Sequence, residues 1–142
     1  MVMFPRLFVY DSYYKRSTAQ MNSMRIIIES RDELRVVDLS EVLYLQASRN
    51  YTDFHFTDGR VKSELSNLSV FESKVREGMR REGIHDPFLR LGRSLLINTS
   101  HVELVSMKLQ KIAFRTNPPI YLAASKNLLA ALKQQMGEEG AA

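Results

Sequence analysis

The stretch Phe88-Leu89-Arg90-Leu91-Gly92-Arg93-Ser94-Leu95-Leu96-Ile97-Asn98 decides how this chain folds. Its apolar and basic residues alternate from Phe88, which predicts a strand that runs into a bend at Arg93 and Ser94. The apolar residues 95–97 then anchor the bend in a core. Arginine and serine are donors that suit phosphate oxygens and guanine edges. The stretch therefore predicts a polar bend that is anchored by core residues. It contains no catalytic pattern.

Two further segments repeat the arrangement of an apolar strand, a polar or basic loop and renewed structure. They are Gln46-Ala47-Ser48-Arg49-Asn50-Tyr51-Thr52 and Ala124-Ser125-Lys126-Asn127-Leu128-Leu129. Taken singly, each segment has a plain structural interpretation. The first would be a hairpin turn with a left-handed Asn, the middle one a surface ion pair of Arg93 with Asp86 or Glu103, and the last a helix cap.

In this order, the three segments resemble the LytTR family of bacterial DNA-binding domains. The middle signature, Phe-x-Arg-x-x-Arg-Ser-x-x-x-Asn, is complete from Phe88 to Asn98, and Asn-Tyr-Thr precedes it at residues 50–52. The pair Ser125-Lys126 follows, and an Asp58-Gly59 hairpin falls between the first two segments. The resemblance covers about residues 24–136. The chain departs from it at Gly92, where many members carry His, and at Lys126, where many carry Arg.

The resemblance implies a mainly β fold, in which three layered antiparallel sheets accompany one internal helix and a C-terminal helix. It also implies sequence-specific binding of duplex DNA in bacterial transcription regulation, with three loops that enter the major groove. Phosphate contacts would position the protein, and a few side chains would read bases. It further implies repeated DNA sites, self-association of two copies on DNA and an upstream signalling partner, as for response regulators. The side chains expected to contact DNA are Arg49, Asn50, Tyr51, Arg93, Ser94, Ser125, Lys126 and Asn127.

Composition sets limits on the class of protein. The 142 residues are 44% hydrophobic and 25% charged, which is typical of one globular domain. The absence of cysteine excludes disulfide frameworks and thiol catalysis, and the three His residues have no metal-ligand spacing. We therefore expect no enzyme activity, no metal and no cofactor. No apolar run approaches membrane length and no signal peptide is recognisable, which favours a cytoplasmic protein without a membrane partner.

The chain divides into an aromatic and basic segment with a linker (residues 1–23), a domain (24–137) and a tail (138–142). The periodicity predicts a helix over 70–80, capped by Ser69 with Glu72 three residues on, and a closing helix over 126–136 that Gly137 stops. Strands are expected over 25–30, 34–39, 43–47, 51–56, 60–64, 88–91, 102–106, 109–115 and 120–123.

One alternative comes from a different class of function. The net charge of +4 is modest, so the basic residues must act through their placement. A domain of the same fold could therefore serve as a protein-interaction module without specific DNA binding, through its edge strands or its N-terminal segment. In that segment Phe4, Phe8, Tyr10, Tyr13 and Tyr14 accompany Arg6, Lys15 and Arg16, which predicts packing on the domain, on a second copy or on a partner.

Overall fold

The structure is a computed structural model that describes residues 24–141, with side chains to residue 138. The expectations for residues 1–23 and for residue 142 lie outside this range. Within it, the strands are β1 (Arg25–Glu29), β2 (Leu34–Asp38), β3 (Val42–Ser48), β4 (Tyr51–Phe56), β5 (Val61–Leu65), β6 (Phe88–Leu91), β7 (Leu95–Asn98), β8 (Val102–Ser106), β9 (Lys111–Phe114) and β10 (Ile120–Ala123). The helices are α1 (Leu68–Glu82) and α2 (Lys126–Ala141), and two 3-10 turns span residues 39–41 and 99–101.

The mainly β prediction is confirmed. All strand pairs are antiparallel and form a five-stranded sheet in the order β5-β4-β3-β7-β6, a three-stranded sheet β10-β9-β8 and a two-stranded sheet β1-β2. The described residues form two compact units. One contains residues 24–40 and 74–86, and the other contains residues 41–73 and 87–141. Within the described chain, no helix is long and apolar enough to cross a membrane.

The segment predicted only as an apolar anchor is a full strand, β7, and this corrects the sequence interpretation. All four of its residues are buried, and it lies between β3 and β6, with Tyr44 opposite Ile97. A strand covered on both faces loses the apolar and polar alternation that identifies a half-buried strand. The stretch that anchors the bend is thus a central strand of the largest sheet.

The core of the second unit joins this sheet to the three-stranded sheet and to α2. Tyr44 of β3 stacks between His55 and Phe114, with ring centroids 4.2 Å and 5.5 Å away. Leu129 and Leu132 of α2 are fully buried in the same cluster. Burying these side chains is the main favourable contribution to folding here.

Helix α1 begins before its predicted start and has a different cap. The Val70 N–H donates to Oδ1 of Asn67 at 3.0 Å, so Asn67 caps the helix and the predicted cap, Ser69, lies inside it. Phe71, Val75 and Met79 recur every four residues and form a buried stripe, because each is at most 2% exposed.

Helix α2 begins as predicted but continues beyond its predicted end. Ser125 caps it by accepting from the Leu128 N–H at 3.2 Å. Gly137 does not stop the helix, which runs to Ala141. Strand β9 starts later than expected because residues 109–110 form a turn, where Gln110 has φ +51°.

The predicted Asp58-Gly59 hairpin is confirmed. Gly59 has φ +91°, and its N–H donates to the Phe56 carbonyl at 3.0 Å. Because β4 pairs Tyr51 with Leu65 and His55 with Val61, this turn lies at the end of the hairpin away from Tyr51.

The first unit contains the β1–β2 hairpin and the second half of α1. The hairpin buries Ile26 and Val37 on one face. Gly78 of α1 lies close to β1, since a Cβ on it would be 3.9 Å from the Arg25 carbonyl oxygen. After α1 ends, Asp86 pairs with Arg76 at 2.7 Å and so fixes the chain that leaves the helix.

Candidate nucleic-acid interface

The first candidate loop is the turn between β3 and β4. Ser48 and Tyr51 form the last strand pair, which leaves Arg49 and Asn50 as a two-residue turn. Arg49 takes the left-handed conformation, with φ +61°, where the sequence analysis placed Asn50 in that role. Both side chains are exposed, and Tyr51 is 46% exposed. A left-handed arginine is strained, and such strain is concentrated at functional sites.

The second candidate loop is the turn Gly92-Arg93-Ser94 between β6 and β7, whose three residues are all exposed. Gly92 has φ +66°, a conformation that glycine adopts without strain. The Arg90 guanidinium holds the turn from inside, because Nε donates to the Gly92 carbonyl and Nη2 to the Arg93 carbonyl, both at 2.9 Å. Arg90 therefore shapes the loop that presents Arg93.

Arg90 is itself fixed by an ion pair with Glu72 of α1. Its Nη1 lies 2.5 Å from the Glu72 carboxylate, and each side chain is only 24% exposed. Sequence reasoning assigned Arg90 to the strand and Glu72 to the helix cap, and it missed the pairing of the two. The alternation of apolar and basic residues places Arg90 in the strand that precedes the turn. It does not indicate which carboxylate pairs with Arg90.

Arg93 has no competing protein partner within residues 24–141. No hydrogen bond or ion pair of its guanidinium is found in this range, and the carboxylate of Asp86 pairs with Arg76 instead. The surface ion pair considered from the sequence is therefore not formed. The five donors of the guanidinium are available to a ligand.

A main-chain hydrogen bond joins the first two loops. The Ala47 N–H donates to the Ser94 carbonyl at 2.8 Å, directly beyond the strand pair of Gln46 with Leu95. Ala47 is two residues before Arg49. Both turns therefore lie at the same end of the five-stranded sheet, in adjacent positions.

The third candidate segment is the start of α2. Ser125, Lys126 and Asn127 are exposed, and the first-turn N–H groups of a helix favour an anion. On either side of them, Ala124 and Leu128 pack against the core cluster. That cluster includes the two residues that flank the second turn, Leu91 and Leu95, so this segment and the second loop rest on a common core.

Asn98, the last residue of the middle signature, has a structural role. It is fully buried, and its Nδ2 donates to the Val42 carbonyl at 3.0 Å. Its Oδ1 accepts from the Ser100 N–H at 3.1 Å and from the Ser100 hydroxyl at 2.6 Å. The conformation of the chain after β7 therefore depends on this amide.

Residues 32–137 match the family model of the LytTr DNA-binding domain. The chain belongs to the LytTr DNA-binding domain family. Membership makes it a DNA-binding domain of transcription regulation, with DNA as its partner. The LytTr family is a family of DNA-binding domains. The resemblance found in the sequence is thereby confirmed.

A solved structure has the same fold as this LytTr domain. It is the LytTr DNA-binding domain of a protein named as a methyl-accepting/DNA response regulator, from Bacillus cereus, with a TM-score of 0.54 and 17% sequence identity. The match covers 80% of this chain and 97% of that one. At this identity the likeness shows the fold. No curated protein sequence matches the chain.

Proposed function

We propose that this LytTr domain reads the sequence of duplex DNA with three loops that enter the major groove. The contact residues are Arg49, Asn50 and Tyr51 in the first loop, Arg93 and Ser94 in the second, and Ser125, Lys126 and Asn127 in the third. All eight side chains are exposed, and each group adjoins a residue that is buried or packed on the core, namely Thr52, Leu95 and Leu128. Polar donors are thus presented by ordered strands and a helix start, which suits specific recognition more than non-specific binding.

The observation that carries the proposal is the rigid placement of Arg93 beside the first loop. Ser94 is bonded to Ala47 through the main chain, and Arg90 holds the turn carbonyls, so the backbone from which the Arg93 side chain projects is held in place. A guanidinium fork donates two parallel hydrogen bonds to O6 and N7 of guanine. We therefore assign base reading to Arg93.

The other contacts divide by their chemistry. Lys126 stands at the N-terminus of α2, next to the cap Ser125, where a phosphate is favoured by the unpaired N–H groups and the helix dipole. Asn50 has an amide that pairs with adenine, and Tyr51 reaches phosphate or stacks on a thymine methyl. Lys126 and Ser125 would position the domain, while Arg93 and the first loop would select sequence.

The proposal includes two copies bound to a repeated DNA site and an upstream signalling partner that controls binding. A domain that contacts one face of the duplex over a few base pairs gains specificity when two copies read adjacent repeats.

The test begins with selection of preferred duplexes from a random-sequence pool by the full chain. Arg93→Ala, Lys126→Ala and Tyr51→Ala are then compared on the selected and on random duplexes across a salt series. Arg93→Ala should cost about 1–3 kcal/mol and relax the preference at particular base pairs. Lys126→Ala should weaken both duplexes equally and reduce the salt slope by about one unit.

Arg60→Ala is the matched control. Arg60 is also an exposed arginine, but it lies at the Asp58-Gly59 turn, at the end of the β4–β5 hairpin away from Tyr51. We expect it to bind like the parent. Equal binding by all three test variants would show that the contact residues are assigned wrongly. If no duplex is enriched from the pool, the protein-interaction alternative replaces sequence-specific recognition.

A further inference from the structure

The β1–β2 hairpin has a second apolar face. Ile27 lies opposite Val36, and Leu34 lies opposite Glu29, so these three apolar side chains point to the same side of the hairpin. They are 46%, 51% and 58% exposed, in the order Ile27, Val36, Leu34, whereas Ile26 and Val37 on the opposite side are buried. We call Ile27, Leu34 and Val36 the outer face. Within residues 24–141, no segment covers it.

The size of the outer face favours a tethered occupant over a second copy. Two adjacent strands of five residues present a surface about 17 Å long and 5–10 Å wide. A stable interface between separate molecules buries about 800 Å² on each partner, several times this area. A segment of the same chain needs less area, because tethering gives it an effective concentration of about millimolar.

We propose that the aromatic segment of residues 4–14 docks on the outer face of the same chain. This segment contains Phe4, Phe8, Tyr10, Tyr13 and Tyr14. Residues 15–24, which include the polar stretch 17–23, connect it to β1. The ten residues after Tyr14 reach up to about 33 Å when extended, roughly twice the length of the hairpin. Aromatic rings against branched aliphatic side chains are the pairing that a sheet face favours.

Charge supports the same occupant. Residues 1–23 carry the basic side chains of Arg6, Lys15 and Arg16 against the single acidic Asp11. The hairpin segment 25–38 carries four acidic side chains and three basic ones, and the Glu29 carboxylate is at the rim of the outer face beside Leu34. The charge difference comes from Lys15 and Arg16, which follow the docking segment, because Arg6 and Asp11 within it cancel.

A groove continues the outer face toward the point where the segment joins β1. The groove has a volume of about 430 Å³ and lies between β1 and the second half of α1. Ile27 lines both the groove and the outer face, and Arg25, the first residue of β1, lines the groove as well. Gly78 forms part of the opposite wall, together with the side chains of Lys74 and Arg81.

The absence of cysteine from the chain permits a direct test by thiol labelling. Val36→Cys places a thiol on the outer face, and Val61→Cys places one on β5 as the control, because the two valines are 51% and 53% exposed. Each labelling rate in the full chain is divided by the rate of the same variant in denaturant. We expect Cys at 36 to react roughly tenfold more slowly than Cys at 61, because a docked segment must open first. Changing the five aromatic residues to Ser should restore the rate at 36 and leave the rate at 61 unchanged.

Three results would overturn the proposal. Equal rates at the two positions would show that the outer face is uncovered. Protection that increases with protein concentration would assign the face to a second copy. Protection that persists in the five-serine chain would assign it to a different segment. A thermal transition followed by circular dichroism checks that each variant folds, and Ile27→Cys replaces Val36→Cys in the same comparison if the latter unfolds.

Discussion

Arg90 has the largest structural effect of any basic residue around the proposed interface, although it is not itself a proposed contact. Its guanidinium donates to the Gly92 and Arg93 carbonyls and to the Glu72 carboxylate. A lysine has one compact ammonium group and cannot satisfy three acceptors that lie in different directions. The geometry of the turn that presents Arg93 therefore depends on the planar guanidinium of Arg90, which has several donors.

We predict that Arg90→Lys lowers the free energy of unfolding by about 1–2 kcal/mol, since charged hydrogen bonds are lost in a partly exposed site. DNA discrimination should fall as well, because Arg93 loses its fixed position. Urea unfolding and binding to selected and random duplexes measure the two effects. Arg60→Lys is the control. Retention of full discrimination by Arg90→Lys would show that the turn keeps its shape without the fork.

His55 predicts a pH dependence of stability. Burial lowers the pKa of His55 below its ordinary value of 6.5, and the neighbouring Asp53 carboxylate partly opposes this shift. The unfolded chain therefore binds a proton at higher pH than the folded chain does. Stability is fully present above the unfolded pKa and falls as the pH decreases below it.

The measurement is urea unfolding between pH 7.5 and 5.5. The parent should lose stability toward pH 5.5, and His55→Phe, which keeps a ring to stack on Tyr44, should lose less. His85→Asn serves as a control because His85 is exposed. An identical pH profile for His55→Phe and the parent would contradict the prediction.

For single residues, the sequence predicts the chemical role of a side chain better than the conformation of its backbone. It identified Arg93 as an exposed donor. It placed the left-handed residue at Asn50, because asparagine tolerates that conformation best. The register leaves Arg49 and Asn50 as the two residues of the turn, and it is Arg49, in the first of these positions, that has the positive φ.

At the scale of elements, the tight turns and strand alternation were predictable, whereas β7 was not. Asp58-Gly59 is a local signal, so the hairpin could be placed from two residues. Strand β7 is defined by pairing with β3, about 50 residues earlier in the chain, and its uniform apolar run carries no periodicity. The cap of α1 shows the same limit, because Asn67 and Ser69 are both suitable caps and packing selects between them.

Substitutions at two glycines are expected to change the stability in opposite directions. Gly59→Val should cost about 1–2 kcal/mol, because φ is +91° and no atom lies within 4 Å of the new Cβ, so strain in the backbone is the cause. Gly137→Ala should stabilise the protein by up to about 1 kcal/mol, because Gly137 lies inside α2. Urea unfolding tests both changes. Equal stability of Gly59→Val and the parent would mean that the turn relaxes.

At the scale of the whole molecule, the proposal of two copies on a repeated site leads to a stoichiometry. We expect a duplex with two selected sites to bind two copies and a duplex with one site to bind one, as measured by sedimentation or native mass spectrometry. Changing the spacing between sites by about 5 base pairs turns the second copy to the opposite side of the duplex. If the two copies contact each other on DNA, the changed spacing should lower the cooperativity of binding and leave the affinity of each copy for its own site unchanged. Saturation of the two-site duplex by one copy would contradict the proposal.

The hydrogen bond between Ala47 and Ser94 has a consequence for how specificity can change. It joins a main-chain N–H to a main-chain carbonyl, so it does not depend on which side chains occupy the two turns. The exposed positions around it are accordingly open to substitution at small cost to stability. Variants randomised at Asn50 and Arg93 should therefore keep the scaffold while acquiring different target sequences. The domain is thus suited to retargeting, both by natural divergence and by laboratory selection.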